Sequence, residues 1–235
     1  MWLYLLIGVM VTSFLVPGSQ EDVRAARGSV VTAHVKSVVD GDTIHLEEDI
    51  FGSHKVRLLN IDTPEKKFFG HAQEPWGSDA TNFLLTLIQP GDKVTIITDE
   101  VVTDQYGRLL AHIKKGNLDI NKEMLKEGYA TMYYIYPNMM YFDDYQQAVT
   151  QAIKEKKGIW NPKNPLTEEP FEFRNRIRTG IKGTSKFVAD FFTKKYVSPA
   201  DYEQIPTQNR VFFWTEKEAR EAGYVPMDKG SFRAS

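Results

Sequence analysis

The alternation of apolar and polar residues after residue 28 predicts a β-rich domain that begins with a hairpin. Residues 31–39 are apolar at alternate positions over their first half, a period typical of a strand with one buried face. Asp40-Gly41 follows and separates this run from a second β-rich run at residues 43–46. Asp-Gly between two such runs favours a tight hairpin turn, in which both turn residues tolerate a positive φ.

Three more strands and three helices are predicted further along the chain. The strands are expected at residues 55–61, 93–98 and 109–114, and the helices at residues 78–88, 121–127 and 142–156. Five strands with a helix between the third and the fourth predict a closed Greek-key barrel of the oligonucleotide-binding (OB) type. The expected fold class is therefore α+β and mainly β, a five-stranded OB-fold barrel with three helices.

A proline-containing stretch, Asn161-Pro162-Lys163-Asn164-Pro165, predicts the end of this domain, because proline breaks helices and discourages strand pairing. We expect one domain at residues 29–162, then a basic linker and a small C-terminal α/β module at residues 163–235. Residues 171–196 carry seven Lys/Arg and two acids, a net charge of +5. Residues 209–226 have the pattern of a strand followed by a short helix.

The first 16 residues are almost wholly apolar and lead into Pro17-Gly18-Ser19. This run is shorter than the roughly 20 residues that a transmembrane helix needs, and its length matches the core of a signal peptide. We expect residues 1–28 to be a signal peptide, or a membrane anchor through residues 2–16 with a linker. The protein is then secreted or anchored at the outer face of the cell membrane, and cleavage and retention both stay open.

Composition and charge narrow the possible chemistry. The chain has no cysteine, which excludes disulfides, zinc–thiolate sites and thiol nucleophiles. Residues 29–162 carry 14 Lys/Arg against 19 Asp/Glu, whereas residues 163–235 carry 13 against 10. If the acidic barrel handles a nucleic acid, it needs a local site with a metal and arginines, since it has no broad basic face.

Three short segments concentrate charged residues where a barrel would otherwise need packing. They are Val39-Asp40-Gly41-Asp42-Thr43, the run from Arg57 to Glu65 (RLLNIDTPE), and Asp104-Gln105-Tyr106-Gly107-Arg108. Together they provide carboxylates for a hard cation, one further carboxylate and two guanidinium groups. This inventory is the one that metal-assisted phosphodiester hydrolysis requires.

In this order and spacing, the three segments resemble the staphylococcal (micrococcal) nuclease family, also called the thermonuclease-like domain. The resemblance runs from about Val31 to Trp160 and includes Tyr134-Ile135-Tyr136-Pro137-Asn138 and Gly158-Ile159-Trp160. It implies a calcium-dependent endonuclease and exonuclease that hydrolyses phosphodiester bonds of DNA and RNA. The family cleaves the P–O5′ bond and leaves 3′-phosphates.

The same resemblance assigns roles to individual residues. It implies that Asp42 and Asp62 bind Ca²⁺ with their carboxylates and Thr63 with its backbone carbonyl, oxygen ligands of the kind that calcium prefers. It implies Glu65 as the general base, and Arg57 and Arg108 as the arginines that grip the phosphate. Two interpretations of Asp40 stay open, support of the metal cluster or a turn-forming role beside Gly41.

Tyrosines are implied as substrate ligands, with hydroxyls on the phosphate or a ring packed on a base. These are Tyr106, Tyr134 and Tyr136, and ordinary packing is the alternative for each. Gln105 stands where well-known members of the family have a lysine, so one cationic phosphate contact is expected to be missing. Lys66 and Lys67 either compensate for it or are simply solvated.

The spacing of Arg57 and Asp62 conflicts with a regular strand. Residues five apart on an ideal strand point to opposite faces, yet the resemblance places both at one site. We therefore expect a bulge or a strand end near Asn60.

A weaker resemblance concerns residues 209–226, which are similar to the small Ada-type zinc-binding module of alkylation-repair regulators. That module needs four cysteines, and this chain has none. No zinc is predicted, and at most the scaffold of the module remains.

Two other classes of function were weighed against a nuclease. A noncatalytic nucleic-acid-binding module of the same fold typically lacks one or more of the acids and arginines, whereas an exported structural protein has no use for them. All five are present here, namely Asp42, Arg57, Asp62, Glu65 and Arg108. The sequence therefore favours a nuclease that acts as a monomer on DNA and RNA, with single-stranded or breathing duplex substrates preferred.

Overall fold

The structure is a computed structural model that describes residues 27–228. Its first half contains, in chain order, β1 (Val30–Val38), β2 (Thr43–Ile50), β3 (Ser53–Leu58), β4 (Ile61–Asp62), α1 (Trp76–Leu87), β5 (Lys93–Ile97), β6 (Leu109–Lys115), β7 (Leu118–Asp119) and α2 (Ile120–Lys126). The second half contains β8 (Thr131–Met132), β9 (Tyr134–Ile135), α3 (Phe142–Glu155), α4 (Pro170–Thr179), β10 (Phe187–Asp190), β11 (Lys195–Val197), β12 (Arg210–Phe213), α5 (Glu216–Glu221) and β13 (Val225–Pro226).

Five of these strands close into a barrel, as the sequence predicted. They pair in the order β3-β2-β1-β5-β6, and β3 also pairs with β6 in parallel, with Val56 opposite Leu109 and Leu58 opposite Ala111. The alternate apolar residues of the strands point inward and are fully buried, for example Val35, Ile44 and Ile96. Because β3 and β6 run in parallel, the loop before β6 lies beside the start of β3, where the hydroxyl of Ser53 donates to the carbonyl of Gly107.

The β1–β2 hairpin forms where it was predicted, but its glycine is needed for a different reason. Neither Asp40 nor Gly41 has a positive φ, so the expected left-handed turn is wrong. A Cβ on Gly41 would instead lie 2.7 Å from Oγ1 of Thr63 and 2.8 Å from Cβ of Ala80. The hairpin therefore packs directly against the segment after β4 and against α1, and only glycine leaves room for that contact.

The predicted interruption near Asn60 is confirmed. Strand β3 ends at Leu58, β4 begins at Ile61, and Asn60 between them has a φ of 64°. Asparagine tolerates this left-handed conformation better than most residues do. The turn changes the face to which the following side chains point, so that Asp62 comes to the same site as Arg57.

Residues after 162 do not form a separate body beside the barrel. A second sheet has the order β13-β11-β10-β12-β9, and its strand β9 belongs to the barrel segment. Val211 and Phe212 of β12 lie opposite Tyr134 and Ile135 of β9. Val211 and Phe213 are also fully buried in the same apolar core as the barrel residues. The packing is thus continuous across the proline-containing stretch.

The basic segment at residues 171–196 has regular secondary structure. The segment contains most of α4, all of β10 and the start of β11. Helix α4 begins with a capping box, in which the side chains of Glu169 and Glu172 accept from each other's backbone N–H groups, and it ends at Gly180. Its arginines are therefore held on a regular helix.

The predicted signal peptide or anchor, residues 1–28, lies outside the described residues except for 27 and 28. Within residues 27–228, no helix combines the length and the apolar character that a bilayer crossing requires.

The shared core generates a prediction about cooperativity. Phe213→Ala is expected to lower the free energy of unfolding by about 3–5 kcal/mol, because it leaves a cavity in the core. Trp214→Ala is the matched control. Trp214 is the next residue and is also aromatic, but its side chain is 54% exposed, so its loss should cost less than about 1 kcal/mol. Urea unfolding followed by circular dichroism measures both. Two separate transitions, with only one of them moved by Phe213→Ala, would show that the C-terminal residues unfold independently of the barrel.

Candidate active site

Carboxylates from two segments meet one arginine at the end of the barrel. Asp42 precedes β2, Asp62 ends β4, and Arg57 lies on β3 opposite Thr43. Nη2 of Arg57 is 3.0 Å from Oδ2 of Asp42 and 2.9 Å from Oδ1 of Asp62. The side chain of Asp62 is fully buried and that of Arg57 is 12% exposed. Buried charges need such pairing, because their desolvation is otherwise very costly.

Thr63 completes the environment of Asp42. Its backbone N–H and its hydroxyl both donate to Oδ2 of Asp42, each at 3.0 Å. Burial by itself raises the pKa of Asp42, but the charge of Arg57 and the hydrogen bonds from Thr63 outweigh it and lower that pKa. Asp42 is therefore held as a carboxylate.

Asp40 lies at the edge of this cluster. Its Oδ1 accepts a hydrogen bond of 3.1 Å from the backbone N–H of Asp42, the contact of an Asx turn. Burial, and next the negative charge of Asp42, raise the pKa of Asp40 to about 7. Asp40 thus forms the turn and also lies close enough to Asp42 to feel its charge.

Glu65 lies beside the cluster, three residues after Asp62. Burial raises the pKa of its carboxyl, and the nearby guanidinium of Arg174 opposes that shift. A raised pKa makes a carboxylate a stronger base than an ordinary glutamate.

Arg174 is the residue of the site that the sequence reasoning missed. From α4 it places Nη1 2.9 Å from Oδ1 of Asp62 and 2.7 Å from Oε1 of Glu65, and Nη2 2.8 Å from Oδ2 of Asp62. The only signal in the sequence was the basic run at residues 171–196, in which nothing separates Arg174 from Arg176 and Arg178. The contact spans 112 residues of chain and depends on the docking of α4.

The charged residues of the third predicted segment pair within their own loop. Nε of Arg108 lies 2.8 Å from Oδ2 of Asp104 in its own loop, and its side chain is 29% exposed. The ring of Tyr106 is exposed, and its hydroxyl accepts a hydrogen bond of 3.0 Å from Nη2 of Arg178 on α4. Helix α4 therefore contacts both the carboxylates, through Arg174, and Tyr106, through Arg178.

The other two predicted substrate tyrosines differ in exposure. Tyr136 is at the surface, with its ring stacked on Phe213. Tyr134 is fully buried, and its hydroxyl donates to the carbonyl of Met140. The structure does not support a substrate contact for Tyr134, because its ring packs within the core. Lys66, Lys67 and Gln105 are all exposed.

The donor atoms of the cluster have the right chemistry for calcium, which prefers carboxylate and carbonyl oxygens. In this structure, however, the carboxylate oxygens accept hydrogen bonds from protein groups. Both oxygens of Asp62 accept from guanidinium groups, and Oδ2 of Asp42 accepts from Thr63. Among residues 27–228, no three His, Asp or Glu side chains are gathered as a metal cluster. Asp42, Asp62 and Thr63 thus supply the type of ligand atom that a hard cation prefers. A cation that binds Asp62 has to displace the guanidinium of Arg174 from it.

Comparison with known proteins gives several matches. Residues 55–162 match the family described as Staphylococcal nuclease homologue. Endonuclease YhcR of Bacillus subtilis is 42% identical over 198 residues, which cover 81% of this chain and 16% of YhcR. The thermonuclease of Staphylococcus hyicus is 35% identical over 130 residues, 55% of this chain and 76% of that protein. The SPbeta prophage-derived endonuclease YokF of Bacillus subtilis is 33% identical over 143 residues, 60% of this chain and 48% of YokF.

The match to YhcR has two consequences. It is longer than the whole stretch up to residue 162, so the similarity extends into the C-terminal residues that carry α4. The chain also spans only 16% of the length of YhcR. The comparisons do not support the weak resemblance of residues 209–226 to an Ada-type module.

The thermonuclease match spans most of that relative, and the matched segment here folds into a closed barrel with paired carboxylates and arginine at one end. This chain belongs to the staphylococcal nuclease family.

Proposed function

We propose that the chain is a calcium-dependent nuclease that hydrolyses phosphodiester bonds of DNA and RNA, cleaving the P–O5′ bond to leave 3′-phosphates. The observation that carries the proposal is the pairing of Arg57 with both Asp42 and Asp62 at the end of the barrel, with Glu65 beside it. The names of the relatives, endonuclease and thermonuclease, agree with it.

Arg57 is the residue best prepared for catalysis. Two carboxylates and the carbonyl of Leu58 hold its guanidinium. Its other N–H groups have no acceptor among residues 27–228, so they can donate to phosphate oxygens. A donor that is already oriented stabilises the negative charge that builds up in the transition state without reorganisation. Arg108 is the second phosphate ligand. Its partly exposed pair with Asp104 is worth only about 0–1 kcal/mol, so exchange for a phosphate costs little.

Asp42, Asp62 and the carbonyl of Thr63 hold the cation. Calcium, when bound, polarises a phosphoryl oxygen and neutralises part of its charge. Glu65 accepts the proton of the attacking water, a role that suits a carboxylate whose pKa burial has raised. The alternative, a noncatalytic nucleic-acid-binding module, has no need of this complete set of acids and arginines.

The exposed Tyr106 and Tyr136 supply surfaces for a nucleotide, which favours single-stranded or breathing duplex substrates. We also propose that the protein acts as a monomer and is exported, either secreted or anchored through residues 2–16. The apolar run at the start of the sequence supports export.

Cleavage is expected to require calcium, because the proposed ligands are all oxygens. Magnesium, which demands tight octahedral coordination, should support much less. Hydrolysis of a fluorescent oligonucleotide is measured with Ca²⁺, with Mg²⁺ and with excess EDTA. Undiminished cleavage in EDTA contradicts the proposal.

Arg57→Ala is expected to lower turnover by roughly 10²-fold or more, because it removes an oriented donor to the transition state. Lys55→Ala is the matched control, since Lys55 lies on the same strand with an exposed side chain, and it should leave turnover unchanged. Single-turnover rates at saturating Ca²⁺ compare the two. Equal rates for both variants would remove Arg57 from the chemistry.

Tyr106→Phe and Tyr134→Phe separate a substrate tyrosine from a core tyrosine. The first should weaken oligonucleotide binding and leave stability unchanged, because its hydroxyl is at the surface. The second should leave binding unchanged and lower stability by about 1 kcal/mol, because the hydrogen bond from its hydroxyl to the carbonyl of Met140 is lost and only that from Asn60 remains. Fluorescence anisotropy and thermal unfolding are the measurements, and the reverse outcome would return Tyr134 to the substrate site.

A further inference from the structure

We propose that Arg174 is an internal counter-ion that competes with the metal cation for Asp62 and thereby sets the cation affinity of the active site. The inference rests on the proposed cation site at Asp42 and Asp62, and it adds a residue from the C-terminal segment to the control of that site. Arg174 contacts Asp62 and Glu65 rather than the substrate, so it acts as a positioning residue.

The contact geometry shows direct competition. The guanidinium of Arg174 donates from Nη1 and Nη2 to the two oxygens of Asp62, at 2.9 and 2.8 Å. These are short, charge-assisted bonds of the bidentate kind that arginine makes with carboxylates. A divalent cation on Asp62 needs the same oxygens. Asp62 already pairs with Arg57 through Oδ1, so a third positive group on this carboxylate would be repelled strongly, since the buried surroundings screen charge poorly.

Glu65 extends the competition to the base. Nη1 of Arg174 lies 2.7 Å from its Oε1, so one guanidinium spans the proposed metal ligand and the proposed base. While this contact persists, the lone pair of Oε1 is directed to Arg174 and not to a water. Departure of the guanidinium therefore frees Oδ2 of Asp62 and Oε1 of Glu65 together, while Oδ1 of Asp62 keeps its bond from Arg57.

Helix α4 itself is firmly anchored, so the exchange is a movement of the side chain. Phe171 and Phe173 are buried, and Phe171 stacks on Tyr133 of the barrel segment. At the start of the helix, Glu169 forms an ion pair of 2.6 Å with the buried Arg210 of β12. The side chain of Arg174 is 21% exposed, so it has a path to solvent.

The consequence is a measurable reduction of cation affinity. When only a fraction of the molecules has Asp62 free, the apparent Kd equals the intrinsic Kd divided by that fraction. A binding-competent state populated at about 10% or less raises the apparent Kd about tenfold or more. Loss of the competing guanidinium removes this factor.

The test is calcium binding to the full chain, measured by isothermal titration calorimetry without substrate. Arg174→Gln is expected to lower the Kd for Ca²⁺ at least about tenfold. Arg176→Gln is the matched control. Arg176 lies on the same helix and pairs with Glu168 at 2.7 Å, so its loss removes the same charge without freeing Asp62, and the Kd should stay close to that of the unchanged protein. Asp62→Asn identifies the site by abolishing the signal.

Arg174→Lys is a second variant that keeps the test valid if Arg174→Gln does not fold. Lysine keeps the charge but lacks the bidentate fork, so its Kd for Ca²⁺ should lie between those of the unchanged protein and Arg174→Gln. Circular dichroism establishes that each variant is folded. The proposal is overturned if the folded variants at position 174 bind Ca²⁺ no more tightly than the Arg176→Gln protein does.

Oligonucleotide cleavage by the same proteins separates this inference from the proposed function. If the variants at position 174 cleave the oligonucleotide but their Kd for Ca²⁺ is unchanged, the role of Arg174 is overturned and the nuclease proposal stands. A tenfold change of Kd in a protein that cuts neither DNA nor RNA supports the competition at Asp62 and overturns the nuclease proposal.

Discussion

The fully buried carboxylate of Asp62 has to be compensated, and the site is arranged around that requirement. Arg57 reaches it from β3, and Arg174 reaches it from α4. An unpaired charge at this depth would destabilise the fold by several kcal/mol, because water no longer solvates it. The pairing therefore links the barrel to the C-terminal helix through a charge, in addition to the apolar core that they share.

The shared sheet explains how Arg174 arrives at this place. Strand β12 pairs with β9, and this pairing positions the C-terminal strands against which α4 packs through Phe171. The similarity to YhcR also extends beyond residue 162, so the C-terminal residues belong to the matched part of that relative as well. Under the proposed competition, a change at Arg174 alters the affinity for a cation without any change to the barrel residues.

Much of the fold follows from local pattern. The alternation of apolar residues predicted the barrel strands, and the five-residue spacing of Arg57 and Asp62 predicted the interruption that Asn60 forms. The predictions failed where contact with another element of the fold decides the outcome. Gly41 is needed because Thr63 and Ala80 approach it, and Tyr134 is a core residue because Phe142 and Tyr145 pack around it.

The sequence by itself determined the family, the barrel and the carboxylates and arginines of its three polar segments, because these depend on residue type and on spacing along a few turns and strands. Only the tertiary structure decided which of these groups meet. It paired Arg108 with Asp104, buried Tyr134, and brought Arg174 to Asp62 across 112 residues. The physical reason is that an ion pair between distant segments depends on how those segments dock, and three arginines on one helix look alike until one of them faces a buried carboxylate.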